Sequence, residues 1–481
     1  MRAPNHPTCG GIKRCARSGL AAAVLALGLA GCGSSGPAAL SVHCSGRDLT
    51  VPDSAEVDAN DPVLPPPVGA VPGVPRTAGS ATGVTVPDAL DPGAPADGYS
   101  VQGWRVSRIT GTGGQQAWSL TLGRPRGVPA AEPDLNLLPH YGYVIATGGN
   151  QGQFIAAVSS QGRAGPVCAL PPFAATDRPV ELLPHAGVVI LANPAESSTA
   201  SGSYSVDGYS TATGKRLWSV SSDTSLSEGG VDFLVDRDTL YVWQGRNAQI
   251  AAYNAATGQH LWTADPGSTD PYDSPNGLLA AAGGAVYAIT DTTSFGSSRV
   301  IALHGTNGKL MWRRTVPAPR GTSGEISVNP VGQDALLLSG NGEEDYLLDA
   351  TTGATLAAQK LTARPMDRDG PPQICDPGGH ASVAVTESGL IHVLSSDPAD
   401  DKTIAIPPGA GTSVVVTGTI AYVRQPKTGA PVYGYDLTTG KLAWTARAPG
   451  KPAGDNLYAF AGGFAVGAFH RPGQFTGTLY R

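Results

Sequence analysis

Few side chains in this 481-residue chain are spaced for bond-making chemistry. The nine histidines include no His-Glu-x-x-His zinc pattern. There is no Gly-x-Ser-x-Gly elbow to present a nucleophilic serine, and no glycine loop built to cradle phosphate. Two acidic stretches, Gly342-Glu343-Glu344-Asp345 and Asp397-Pro398-Ala399-Asp400-Asp401, gather carboxylates. Neither alternates oxygen ligands as a calcium loop requires, so both read as solvated turns. The six cysteines contain no Cys-x-x-Cys pair for zinc binding or redox exchange. No residue is assigned a catalytic, cofactor-binding or metal-ligating role.

One cysteine does stand in a chemically specific place. Arg2, Lys13, Arg14 and Arg17 form a basic head, an apolar run from Leu20 to Leu29 follows, and Leu29-Ala30-Gly31-Cys32 closes it. This is the pattern of a secretory signal, too short for a membrane span. Its ending resembles a bacterial lipobox. The resemblance implies that residues 1–31 are removed and that Cys32 is diacylated, holding the protein at the cell membrane on its extracytoplasmic face. Two acyl chains anchor stably where one is marginal. Residues 32–100, with eleven prolines between Pro37 and Pro95, read as a Pro/Gly-rich linker. A short strand over Ser41-Val42-His43-Cys44 through Leu49-Thr50-Val51 is allowed within it.

The rest of the chain is organised by a returning phrase. Gly214, Gly258, Gly308 and Gly440 are each followed four residues later by Trp218, Trp262, Trp312 and Trp444, and Gly353 heads a copy without the tryptophan. Gly114 and Trp118 keep the same offset. With Gly162 and a turn near Asp397, there are eight turns, spaced by intervals such as 44, 50 and 45 residues. A period in the forties with β-type sequence is that of propeller blades. Runs such as Ala285-Val286-Tyr287-Ala288-Ile289 read as strands, and 64 glycines with 41 prolines oppose long helices. The expected fold is all-β: an eight-bladed propeller over 101–481, with seven blades as the alternative. The turn glycines adopt φ > 0 without a Cβ penalty, and the tryptophans pack between neighbouring sheets. The strands after Trp444 are expected to complete the blade begun by residues 101–122, removing open edges.

Phrases such as Tyr253-Asn254-Ala255-Ala256-Thr257-Gly258-Gln259-His260-Leu261-Trp262 and Tyr435-Asp436-Leu437-Thr438-Thr439-Gly440-Lys441-Leu442-Ala443-Trp444 resemble pyrroloquinoline quinone (PQQ)-type propeller repeats. The resemblance implies that the Gly and Trp positions form a motif docking blade to blade. It extends to PQQ-dependent dehydrogenases and to non-enzymatic relatives such as the lipoprotein of the outer-membrane β-barrel assembly machinery. Dehydrogenases of this class carry adjacent cysteines beside the cofactor, and no such pair occurs here.

Processing leaves Cys44, Cys168 and Cys375. Cys168 belongs to the second repeat unit and Cys375 to the start of the seventh, too far apart around a ring for the short Cα separation of a disulfide. Cys44 is therefore the expected partner of Cys168 or of Cys375, in a compartment that permits disulfides. Loss of the signal takes four of 32 basic residues, leaving 28 against 38 acidic and a net charge near −10. That balance opposes nucleic acid as a partner. The sequence thus points to a membrane-tethered, non-catalytic binding or assembly scaffold. Its inter-strand loops, notably Asn193–Ser203 and Ala363–Gly379, would meet protein partners. A PQQ-dependent extracytoplasmic oxidoreductase is the alternative.

Overall fold

Short apolar and β-branched runs broken by Gly, Asp, Asn and Ser make strands along the whole repeat region. A computed structural model describes these strands and their tight turns between residues 42 and 480. Residues 1–41, 46–76 and most longer inter-strand stretches, among them 126–134, 195–203, 223–232, 266–278 and 361–372, lie outside the described residues. The signal, Cys32 and Gly114 fall there, as do most of the two expected contact loops. Among the described residues the helical pieces are two 3-10 turns, Pro184–Ala186 and Pro398–Asp400.

The described strands form nine antiparallel sheets. Eight follow each other along the chain as four-stranded meanders, covering 89–121, 135–169, 180–222, 233–264, 279–317, 327–360, 373–405 and 413–446. In seven of them one of the expected turns joins the third strand to the fourth, and the turn at Gly114 lies outside the described residues. The protein is an all-β propeller of PQQ-like repeats. The ninth sheet corrects the expected closure. Asn456–Phe460, Gly463–Arg471 and Gln474–Tyr480 form one sheet with Thr77–Thr82, which pairs with Gln474–Tyr480, and not with the strands of residues 101–122. The first sheet needs no help, because Ala89–Leu90 and Asp97–Gln102 give it four strands of its own. Strands at 43–45, 77–82, 89–90 and 97–102 therefore occupy the stretch expected to be linker.

The core is divided among the seams. Eight clusters of buried apolar side chains each bridge two consecutive sheets, from Val106 with Phe154 at the first junction to Trp444 with Phe464 at the last. First strands approach first strands along the series, as Phe233–Asp236, Leu279–Ala282 and Ser327–Val331 do.

The repeated turn has a local cause. Asn254 Oδ1 accepts from the backbone N–H groups of Ala256 (3.1 Å) and Thr257 (2.9 Å) and from the Thr257 hydroxyl (2.9 Å). Asp349 and Asp436 do the same work in their turns. The next step needs a left-handed residue, and Gly258 supplies it at φ 70° while its N–H donates to Asn254 O (2.8 Å). The Asx residue and the glycine of the repeat are thus two halves of one turn.

Candidate functional site

The motif residues meet at the seams. After each turn glycine the outer strand carries a β-bulge, one residue that the pairing register skips. Leu217 is skipped between Arg216 and Trp218, and Leu261 between His260 and Trp262. The bulge re-aims the tryptophan across to the following sheet. There it lies on the glycine of the next turn. A Cβ built on Gly162 would fall 2.9 Å from the Trp118 ring, on Gly258 2.6 Å from Trp218, on Gly308 2.5 Å from Trp262, and on Gly353 2.6 Å from Trp312. The glycine is needed twice, for its dihedral angle and for the ring lying on it.

Three of the rings are also tied by their nitrogen. Trp218 Nε1 donates to Ala256 O (3.2 Å), Trp262 Nε1 to Gly305 O (2.9 Å) and Trp312 Nε1 to Ala350 O (2.9 Å). Tyr241 and Tyr287 hydroxyls donate to the same Gly305 and Ala350 carbonyls (3.3 and 3.2 Å). Trp262, Trp312 and Trp444 are buried, while Trp118 and Trp218 are half-buried. Trp444 differs in its partner. It stacks on Phe464, with centroids 5.6 Å apart and planes 8° apart.

In the sixth and seventh units no tryptophan reaches the next turn glycine. Ala357 packs with Leu337, Leu347 and Leu394, and Gly440 has only Ile404 and Lys402 nearby, each 3.8 Å from a would-be Cβ. The second unit has Pro166 at the tryptophan position, four residues past Gly162. Its seam is closed by the N-terminal segment. His43–Ser45 pairs with Ala164–Ala169 as a fifth strand, and Cys44 is disulfide-bonded to Cys168. Val42, fully buried, donates its N–H to Gly214 O (3.3 Å), and its own carbonyl lies where a Cβ on Gly214 would be. Nothing in the repeat pattern announces Val42. The missing tryptophan at Pro166 is the one signal that something else must fill the gap.

Beside that seam lies a buried polar cluster. Asn193 Nδ2 donates to Asp207 Oδ2 (2.8 Å) and to the Tyr209 hydroxyl oxygen (3.1 Å), and Tyr209 donates to Asp207 Oδ2 (3.3 Å). Arg216 stands 3.8 Å from the same carboxylate. Burial first, and the Asp207 charge second, push the Tyr209 phenol well above its ordinary range. Asn193 heads one expected contact loop, yet its side chain is 2% exposed and spent inside this cluster. On the first strand of the same sheet, burial pushes the Glu181 carboxyl up to about 7.

The acidic turn is structural too. Asp397 caps the Pro398–Asp400 helix by accepting from Ala399 N (3.0 Å), and Asp401 accepts from Ser395 N (2.7 Å). Among the described residues no group of three His, Cys, Asp or Glu is placed to hold a metal ion.

The family model described as outer membrane protein assembly factor BamB matches residues 104–393. No curated protein matches the chain. Similar solved structures include BamB from Moraxella catarrhalis, 18% identical over 62% of this chain and 86% of that one, with a TM-score of 0.37. A quinohemoprotein alcohol dehydrogenase from Pseudomonas putida HK5 is 13% identical over 72% and 73%, with a TM-score of 0.34. Apo AztD from Citrobacter koseri is 12% identical over 73% and 94%, with a TM-score of 0.39.

Proposed function

The chain belongs to the family described as outer membrane protein assembly factor BamB, and from that premise we propose that it is a membrane-tethered, non-catalytic scaffold for protein partners on the extracytoplasmic side. Cys32 carries the lipid anchor. Partners meet the inter-strand loops and the outer rim, where Leu217, Leu261, Leu310 and Leu442 are 43–54% exposed. The observation that supports a scaffold most directly is how the repeat motif is used. Its Asx side chains cap turns, its glycines take the left-handed step, and its tryptophans close seams.

Two measurements test this. Cys32→Ala should move the protein from the membrane fraction to the soluble fraction or stall it at precursor size. A mature-size band that stays in the membrane rejects the anchor. Calorimetric titration of the full chain with PQQ and Ca²⁺ should show no tight binding. Sub-micromolar affinity, with dye reduction by an alcohol or sugar, establishes the oxidoreductase alternative instead.

A further inference from the structure

We propose that the outer edge of the second sheet, together with the Gly214 turn, is a strand-acceptor site. Its occupant is the chain's own Val42–Ser45 segment, which stands in for the tryptophan absent at Pro166.

Both the spacing and the register put Pro166 at the tryptophan position. It lies four residues past Gly162, and the pairing of Ala164–Ala169 with its neighbour shifts between Ala164 and Val167, where the other outer strands bulge. A prolyl ring is too small to reach the next turn, so without the segment Gly214 would face a gap. Val42 fills it, with a main-chain carbonyl over Gly214 in place of an indole. The apolar cluster of this seam joins Val42, Cys168, Ile155, Leu182, Leu191 and Tyr209, so the segment completes a core that the two sheets leave unfinished.

A three-residue strand pairing is a weak hold by itself, and Cys44–Cys168 supplies the rest by joining residues 124 apart in sequence. Docking is therefore a step separable from folding of the ring, and a thiol–disulfide reaction governs it. In the closing direction the two thiols become one S–S bond. Two electrons and two protons pass to an exogenous disulfide, which leaves as a dithiol. A dithiol reductant runs the step backwards and frees the strand edge. The segment consequently docks fully only in an oxidising compartment.

Hydrogen exchange on the full chain tests the assignment. Adding dithiothreitol, or substituting Cys44→Ser with Cys168→Ser, should speed exchange in peptides covering 164–170 and 204–215 by about tenfold or more. Peptides covering 297–317, in the Trp312 seam, should keep their protection. Adding Pro166→Trp to the double variant should restore protection at 204–215, because an indole then covers Gly214. Unchanged exchange at 164–170 after reduction overturns the proposal. So does loss of protection throughout the protein, which would make docking inseparable from folding. Failure of Pro166→Trp to protect 204–215 overturns the equivalence of segment and tryptophan.

Discussion

The seam between the fourth and fifth sheets and the seam between the second and third close the same gap by different means. In the former, Trp262 crosses from one sheet, lies on Gly308 and donates to Gly305 O. Plug and socket both come from the repeat, so the seam is complete once two neighbouring units have folded. In the latter the plug is Val42, which arrives from more than a hundred residues upstream of its sheet neighbours and is retained by a disulfide. A local plug forms with its blade. A distant one carries a loop-closure cost and a dependence on its chemical surroundings. One repeat architecture therefore contains both a constitutive seam and a conditional one.

The strongest way to break this comparison is to empty a constitutive seam. Trp262→Ala removes a ring that is 8% exposed, together with its hydrogen bond, and leaves a cavity over Gly308. The expected loss is about 3–5 kcal/mol, read by chemical denaturation under oxidising and reducing conditions alike. An equal loss under both conditions fits a local plug. Stability matching that of the wild type sinks the assignment of this ring to the seam.

Turns and tryptophans were legible in the sequence because the repeat writes them out: a glycine and a tryptophan four residues later mark one hairpin turn and one bulged strand. The described third-to-fourth-strand turns, from Gly162 to Gly440, fall where that spacing places them. Long-range pairings were not legible. Thr77–Thr82 adds to the C-terminal strands, yet Thr77-Ala78-Gly79-Ser80-Ala81-Thr82 is short, polar and lies among prolines, so no local propensity marks it. Val42 is likewise one apolar residue in a Pro/Gly-rich stretch. Its place is set by a deficit elsewhere, at Pro166. The fate of Asn193 was hidden for a related reason: an amide before a proline reads as loop, and only the register of its strand against Ser205 carries it toward Asp207.

A second, smaller effect sharpens the comparison on the side of the conditional seam. Glu181 lies in the third sheet between Val180 and Leu182, which pack against the Val42 cluster. Its carboxyl is raised from 4.5 to about 7 by burial. A raised folded-state value means that the native protein holds the proton more tightly than the unfolded chain. The penalty vanishes well below the unfolded value of 4.5, where both states are protonated. The penalty grows as pH rises through the window and is complete above about 7. Wild-type stability should therefore fall across this interval relative to Glu181→Gln, by at most about 3 kcal/mol. Parallel stability-versus-pH curves for the two proteins would show that Glu181 titrates as an ordinary surface carboxyl.

The smallest effect separates two constitutive seams from each other. Trp312 Nε1 donates to Ala350 O at 2.9 Å, and the same carbonyl also accepts from Tyr287 at 3.2 Å. Trp444 is buried as well, but its Nε1 has no acceptor among the described residues, and its ring stacks on Phe464. A Phe substitution removes the indole nitrogen at both positions along with a similar amount of apolar surface. Only at Trp312 does a hydrogen bond go with it. The carbonyl left behind keeps Tyr287, so no acceptor is stranded and the added cost stays near the net value of one hydrogen bond, about 1 kcal/mol. Trp312→Phe should thus destabilise more than Trp444→Phe by about that amount, measured side by side in urea. Equal costs would mean that the seams rest on ring packing alone, and that the nitrogen-to-carbonyl contacts recurring from sheet to sheet accompany the docking without strengthening it.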